Sequence, residues 1–256
     1  MSDLNRQSRR EMLRRSSLAA AGVGAVWVAP TVDTFLSPAA AASLNCVGPP
    51  QTVDWSTMTE NLNNSSLAAG SLTTMATLGG VDMNFQFTGA ISTLNFSSDA
   101  TIHRTGVAPT LLTGNQTGSF VMKRTATIAT TTVTLTITFS QNITGLTFTI
   151  LDIDRIVGTF QDRLTLSASL NGFAVTPTFT PQTGVGGSCN GQAATVTANG
   201  GGVFTGTAQI ANDCTRANLL VALGAAQVDT FVIEYTSLEG TTGPQHIGLG
   251  DVSWFC

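Results

Sequence analysis

Leu146-Thr147-Phe148-Thr149-Ile150-Leu151-Asp152-Ile153-Asp154 is the most informative stretch of the chain. Apolar and polar residues alternate with the period of a half-buried strand. Leu146, Phe148 and Ile150 share one face. In an unbroken strand Asp152 and Asp154 continue that parity to the end of the core face. The next apolar alternation is Asp162-Arg163-Leu164-Thr165-Leu166, with Asp162 in phase with Leu164 and Leu166. Arg155 to Gln161 then reads as a hairpin loop, with Asp154 and Asp162 at its two mouths.

The same pattern recurs on both sides. Val81 to Phe87 alternates as V-D-M-N-F-Q-F, and Thr125 to Phe139 is a long Thr/Val/Leu/Ile run. Further strands are expected over Gly145 to Asp154, Arg163 to Leu170, Ala174 to Phe179 and Ala194 to Ala198. Val203 to Ile210, Val228 to Thr236 and Ile247 to Phe255 complete the set. Gly, Asn and Pro clusters separate them, notably Pro181 to Gly191 and Asn199 to Gly202. Ala217 to Ala226 is ambiguous between strand and helix, and a short helical turn is expected around Asn63 to Ala69. Many short strands with polar turns predict an all-β fold, an antiparallel jelly-roll-like β-sandwich formed by a single domain over 43–256.

Composition agrees. Charged residues make up 10% of the 256, against about 25% in an average soluble protein. After residue 42, 39 of 214 residues are Thr and the only lysine is Lys123. That mixture disfavours helices and suits strands. It argues against a coiled coil and against a nucleic-acid binder, which needs a basic face.

The first 42 residues read as an address. Ser8-Arg9-Arg10-Glu11-Met12-Leu13-Arg14 follows twin-arginine order, the run Ser17 to Ala29 is mildly apolar, and Ala40-Ala41-Ala42 forms a small-residue cleavage site. The apolar run is shorter than the roughly 20 residues a membrane span needs. A cleaved twin-arginine (Tat) signal peptide over 1–42 is expected, with release outside the cell or non-covalent retention at the envelope. The remaining chain keeps six basic and twelve acidic residues, a net charge of −6. That disfavours nucleic acid and anionic lipid as partners.

Adjacent carboxylates repel unless one is protonated or a cation joins them. A hard cation with oxygen ligands is the extracellular solution. Calcium held by Asp152, Asp154 and Asp162, with Asp251 of Gly248-Leu249-Gly250-Asp251 as a further ligand, is therefore the expected metal site. Neutralisation by Arg155 and Arg163, or plain solvation, is the competing reading. Little looks catalytic. His103 and His246 are the only imidazoles, and neither H-E-x-x-H nor G-x-S-x-G occurs. A glycosidase using Asp152, Asp154 or Glu239 needs two suitably spaced carboxyls. The E-x-D-x-E strand of jelly-roll glycosidases is replaced here by Leu151, Ile153 and Arg155. Trp55 and Trp254 are expected in or near the core. Four cysteines in an exported chain predict disulfides, with Cys46–Cys256 and Cys189–Cys214 the preferred pairs.

Val53-Asp54-Trp55, Phe139 to Asp154, Gln161 to Leu166 and Pro244 to Cys256 together resemble the jelly-roll-like β-sandwich domains of bacterial secreted and surface proteins of adhesin type. That resemblance implies extracellular adhesion or ligand binding, with a glycan or cell-wall component as the partner. Unlike those proteins, the chain shows no adhesin-type repeats. The expected function is a non-enzymatic binding module with structural calcium. A secreted carbohydrate-active enzyme is the first alternative, and an envelope protein self-associating through Thr-rich edge strands is the second.

Overall fold

The structure, a computed structural model, describes residues 48–57, 72–89, 100–104, 118–124, 132–185, 189–210, 214–240 and 245–256. They fall in one compact unit. The expected signal segment 1–42, Cys46, the expected helical turn at 63–69 and the start of the Thr125 run lie outside them.

The fold is all-β, with the strands paired antiparallel. They are β1 (Gln51–Val53), β2 (Leu72–Leu78), β3 (Val81–Gly89), β4 (Ala100–Arg104), β5 (Gly118–Arg124) and β6 (Val133–Leu151). β7 (Arg155–Ile156), β8 (Phe160–Leu170), β9 (Phe173–Val175), β10 (Thr178–Pro181) and β11 (Val196–Ala198) follow. β12 (Val203–Gly206), β13 (Leu219–Ala222), β14 (Val228–Ser237), β15 (Gln245–Leu249) and β16 (Val252–Phe255) complete the set. Among the described residues, no helix is long and apolar enough to cross a membrane.

The 19-residue β6 organises the molecule. Its first part, Val133 to Phe139, lies between β3 and β14. Its last part, Thr144 to Leu151, pairs with β13, β15 and β16. The buried positions change phase on the way. Val133, Leu135, Ile137 and Phe139 are buried, then Leu146, Phe148 and Ile150. A one-residue slip turns a strand's apolar set to its other face. Ile143 is still buried in the first phase, so the slip falls between it and Leu146, where Gly145 takes φ 61°. β14 records a separate irregularity just upstream, where its register jumps from Ile143 opposite Val228 to Thr138 opposite Thr230. One strand thus serves two groups of strands and buries apolar side chains in both.

Aromatic contacts bridge those groups. Phe85 of β3 meets Phe120 of β5 at 5.1 Å, and Phe139 of β6 meets Trp254 of β16 at 5.4 Å. Phe148 of β6 meets Phe231 of β14 at 5.1 Å, and Phe179 of β10 meets Phe204 of β12 at 4.9 Å. Trp55 and Trp254 are fully buried, as expected of core residues. Two strand groups enclosing a shared aromatic core are compatible with a β-sandwich.

Several boundaries differ from the sequence reading. The strands expected at Thr125–Phe139 and Gly145–Asp154 join in β6, which ends at Leu151, short of Asp152 to Asp154. Ala174 to Phe179 splits into β9 and β10, because Pro177 has no amide to offer a ladder. The strand expected over Val203 to Ile210 stops at Gly206, and Ile247 to Phe255 breaks at Gly250-Asp251. The ambiguous segment at 217–226 resolves into the end of a 3-10 turn, Thr215–Ala217, followed by β13.

Candidate functional site

The β7–β8 hairpin pairs Arg155 with Gln161 and Ile156 with Phe160. Extending that register one step sets Asp154 against Asp162, so the expected juxtaposition forms. The Asp162 amide donates to Asp154 O at 3.0 Å, and the Asp154 amide donates to Asp162 Oδ2 at 3.2 Å. Tyr235 Oη, from β14, donates to Asp162 Oδ1 at 2.8 Å. Asp162 is 1% exposed and Asp154 8%.

The electrostatics follow from that burial. Loss of solvation pushes the Asp162 carboxyl well above the usual carboxylate range, and the Asp154 charge pushes it the same way. Hydrogen bonds from Tyr235 and the Asp154 amide oppose the shift. Burial also raises Asp154 to about 6, against a lowering hydrogen bond from the Ile210 amide.

The parity expected for Asp152 does not persist. Asp152 takes φ 66°, a left-handed conformation that aspartate tolerates better than most residues. Its amide donates to Asn218 Oδ1 at 3.3 Å. The kink leaves Leu151 and Ile153 both buried and Asp152 half-buried. The condition on which the sequence argument rested, an unbroken strand, fails at this residue.

Asp251 lies elsewhere. β15 places Leu249 opposite Ile150 and Gly248 opposite Leu151, so the antiparallel chain carries Asp251 away from Asp152. Asp251 Oδ1 accepts the Trp55 amide at 3.2 Å, while Trp55 Nε1 donates to Gly250 O at 2.8 Å. Burial raises the Asp251 carboxyl, opposed by the Trp55 hydrogen bond and aided by the Asp54 charge. Among the described residues, no three His, Cys, Asp or Glu side chains are grouped to hold a metal ion. Asp251 thus stands apart from Asp154 and Asp162. Arg155 does not neutralise the pair either, because its guanidinium forms an ion pair with Glu239. Glu239 also accepts the Gly158 amide at 2.7 Å and so ties down the hairpin tip.

Cys189 and Cys214 are joined as expected, with a Cα–Cα separation of 6.0 Å. Ile210 and Ala217 pack against this bridge. The Ala217 carbonyl accepts the Ile153 amide at 2.8 Å, which ties the disulfide loop to the approach to the acid pair. Cys256 is half-buried, its sulfur 3.5 Å from Gly79 O. Its expected partner Cys46 lies outside the described residues. His103 falls on β4 opposite Ser119, and His246 falls within β15 opposite Lys123.

The structure also forms a groove that the sequence reading missed. Thr144, Gly145, Leu146, Thr147, Ala222, Gly224, Ala225 and Phe255 line about 430 Å³ of open space. The Phe255 ring rests on Gly145, where a Cβ would lie 2.5 Å from Cδ2, and stays 44% exposed. The Gly145 amide donates to Gly224 O at 2.6 Å, closing the groove floor. The only hint in sequence is a terminal aromatic residue in phase with solvent, and nothing local links it to residues 144–147.

Comparison with protein-family models, curated proteins and solved structures gives no match.

Proposed function

We propose that this chain is an exported, non-enzymatic binding module of jelly-roll-like sandwich build that acts at or outside the cell envelope. Its Phe255 groove takes a neutral glycan. The observation that carries this reading is the half-exposed Phe255 ring over an open groove whose lining holds no ionisable side chain. An apolar platform with a few convergent polar groups is the usual make-up of a small-ligand site. The hydroxyls of Thr144 and Thr147 supply polar groups beside the ring. Thr147 Oγ1 donates to Val221 O at 3.1 Å and keeps lone pairs for a ligand hydroxyl.

The carboxyl pair favours binding over turnover. Glycoside hydrolysis needs two carboxyls that a substrate can reach, and Asp154 and Asp162 are withdrawn from solvent. Export rests on the residue order at 8–14.

Glycan-array binding by the oxidised full chain, beside Phe255→Ala, tests the reading. Binding to neutral oligosaccharides is expected, weakened about tenfold or more in the variant, as for an aromatic anchor. The variant's melting midpoint should stay close to the parent's, since Phe255 is half-exposed. Equal binding by Phe255→Ala, or release of reducing sugar from the bound glycans, would overturn it.

A further inference from the structure

We propose that Phe173 is a second stacking platform of the Phe255 site, so that the ligand is a linear neutral oligosaccharide lying across one end of the strands. The inference rests on the glycan reading of the groove and extends it from a single sugar to a chain. Its basis is a second exposed ring at the same end of the fold. Among the described residues the exposed aromatic side chains are Phe173, 78% exposed, and Phe255, 44% exposed. A lone apolar residue on a surface needs no explanation. Two rings on one uncharged end do.

Strand register places them. Phe173 of β9 lies opposite Leu170 of β8, and the preceding β8 residue, Ser169, lies opposite Thr230 of β14. Val228 of β14 lies opposite Ile143 of β6, and the next β6 residue, Thr144, lies opposite Phe255 of β16. The strands at this end thus run β9, β8, β14, β6, β16. Four strand steps separate the two rings, about 19 Å of backbone at the usual spacing. A single sugar cannot touch both, whereas a short oligosaccharide can. Between them lies the turn from β13 to β14, held by the Gly145 amide at Gly224 O. Its exposed residues, Gly224, Ala225 and Ala226, carry nothing beyond a Cβ and leave the way across open.

Both rings are held in place. Asn171 and Gly172 take φ 52° and 80°, the left-handed pair that an Asn-Gly hairpin turn adopts. The Asn171 amide donates to Asp229 Oδ2 at 2.6 Å and pins this tip to the start of β14. Phe173 has the parity of Val175, which packs against the core, so it follows the core side of the strand past the last packed residue. Phe255 rests on Gly145. Platforms fixed before binding lose little freedom when a ligand arrives. The chemistry around them selects an uncharged ligand. Segments 141–147, 168–178 and 222–228 contain no ionisable side chain, and their polar side chains are hydroxyls and amides. The Asp229 carboxylate beside them is engaged by the Asn171 amide. The C–H faces of pyranose rings suit phenyl faces, and sugar hydroxyls suit the Thr and Asn side chains of these segments.

Calorimetric titration of the oxidised full chain with cellulose, mannan and amylose fragments, each graded from disaccharide to hexasaccharide, tests this beside Phe173→Ala and Phe255→Ala. Wild-type affinity for at least one series is expected to rise with length until the ligand reaches both rings. In Phe173→Ala that rise should be lost, with hexasaccharide affinity down about tenfold or more, as for an aromatic anchor. Phe255→Ala should weaken every length. Phe173 is exposed, so its variant should melt with the parent. Phe173→Trp should restore the length dependence, which separates stacking from an accidental effect on the turn. A full rise with length in Phe173→Ala, while Phe255→Ala binds weakly, would overturn the second platform and leave the groove reading standing. No wild-type binding to any of the three series, or binding indifferent to Phe255→Ala, would overturn the groove reading and this inference with it.

Discussion

A methyl group at Gly206 would overlap the carbonyl and Cα of Asp154. This glycine lets β12 run against the hairpin mouth closely enough for Gln161 to bond its carbonyl. The atoms in the way are backbone, so rotamer change cannot relieve the overlap. Gly206→Ala should therefore destabilise the fold by about 1–3 kcal/mol, the range for overpacking, as read from its denaturation midpoint. A variant as stable as the parent would mean that β12 and the hairpin are not held this tightly. Gly145 has a different cause. Its positive φ marks the slip in β6, and its missing side chain seats Phe255.

At the scale of elements, the Cys189–Cys214 bridge closes a 25-residue separation and covers Ile210 and Ala217. Loop entropy alone makes such a bridge worth about 3 kcal/mol. Cys189→Ser with Cys214→Ser should lower stability by about that amount. Hydrogen exchange should show the largest loss of protection over residues 206–210 and 214–218, because these stretches flank the bridge and the acid pair. Uniform loss across β3 and β14 would instead point to a globally coupled bridge. The β7–β8 hairpin was readable from its spacing, since parity and loop length alone put Asp154 opposite Asp162. The fate of Arg155 was not, because Glu239 arrives from beyond β14, 84 residues along the chain.

For the whole molecule, calcium is the sharpest test of what the acidic residues do. Asp162 has both oxygens engaged and Asp251 sits beside Trp55. Melting curves of the oxidised full chain in excess calcium and in excess chelator should coincide. A ligand that binds the native state alone adds about 2.7 kcal/mol at a hundredfold excess over Kd. A rise of several degrees in calcium, lost in Asp154→Ala, would establish a metal role.

The all-β class and the alternation of β3, β6, β8 and β14 were legible in the residues, as were the Asp154–Asp162 contact and the Cys189–Cys214 bridge. Each follows from period-two patterning or from cysteine chemistry, which act over a few residues or through a single bond type. Other features depend on segments remote in sequence. They include the continuity of β6 across two groups of strands, the left-handed turn at Asp152 and the separation of Asp251 from the other aspartates. The Phe255 groove, which draws together residues 144–147, 222–225 and 255, belongs with them. Local alternation specifies which face of a strand is apolar, but strand register and the crossing of β6 determine which faces and strand ends meet.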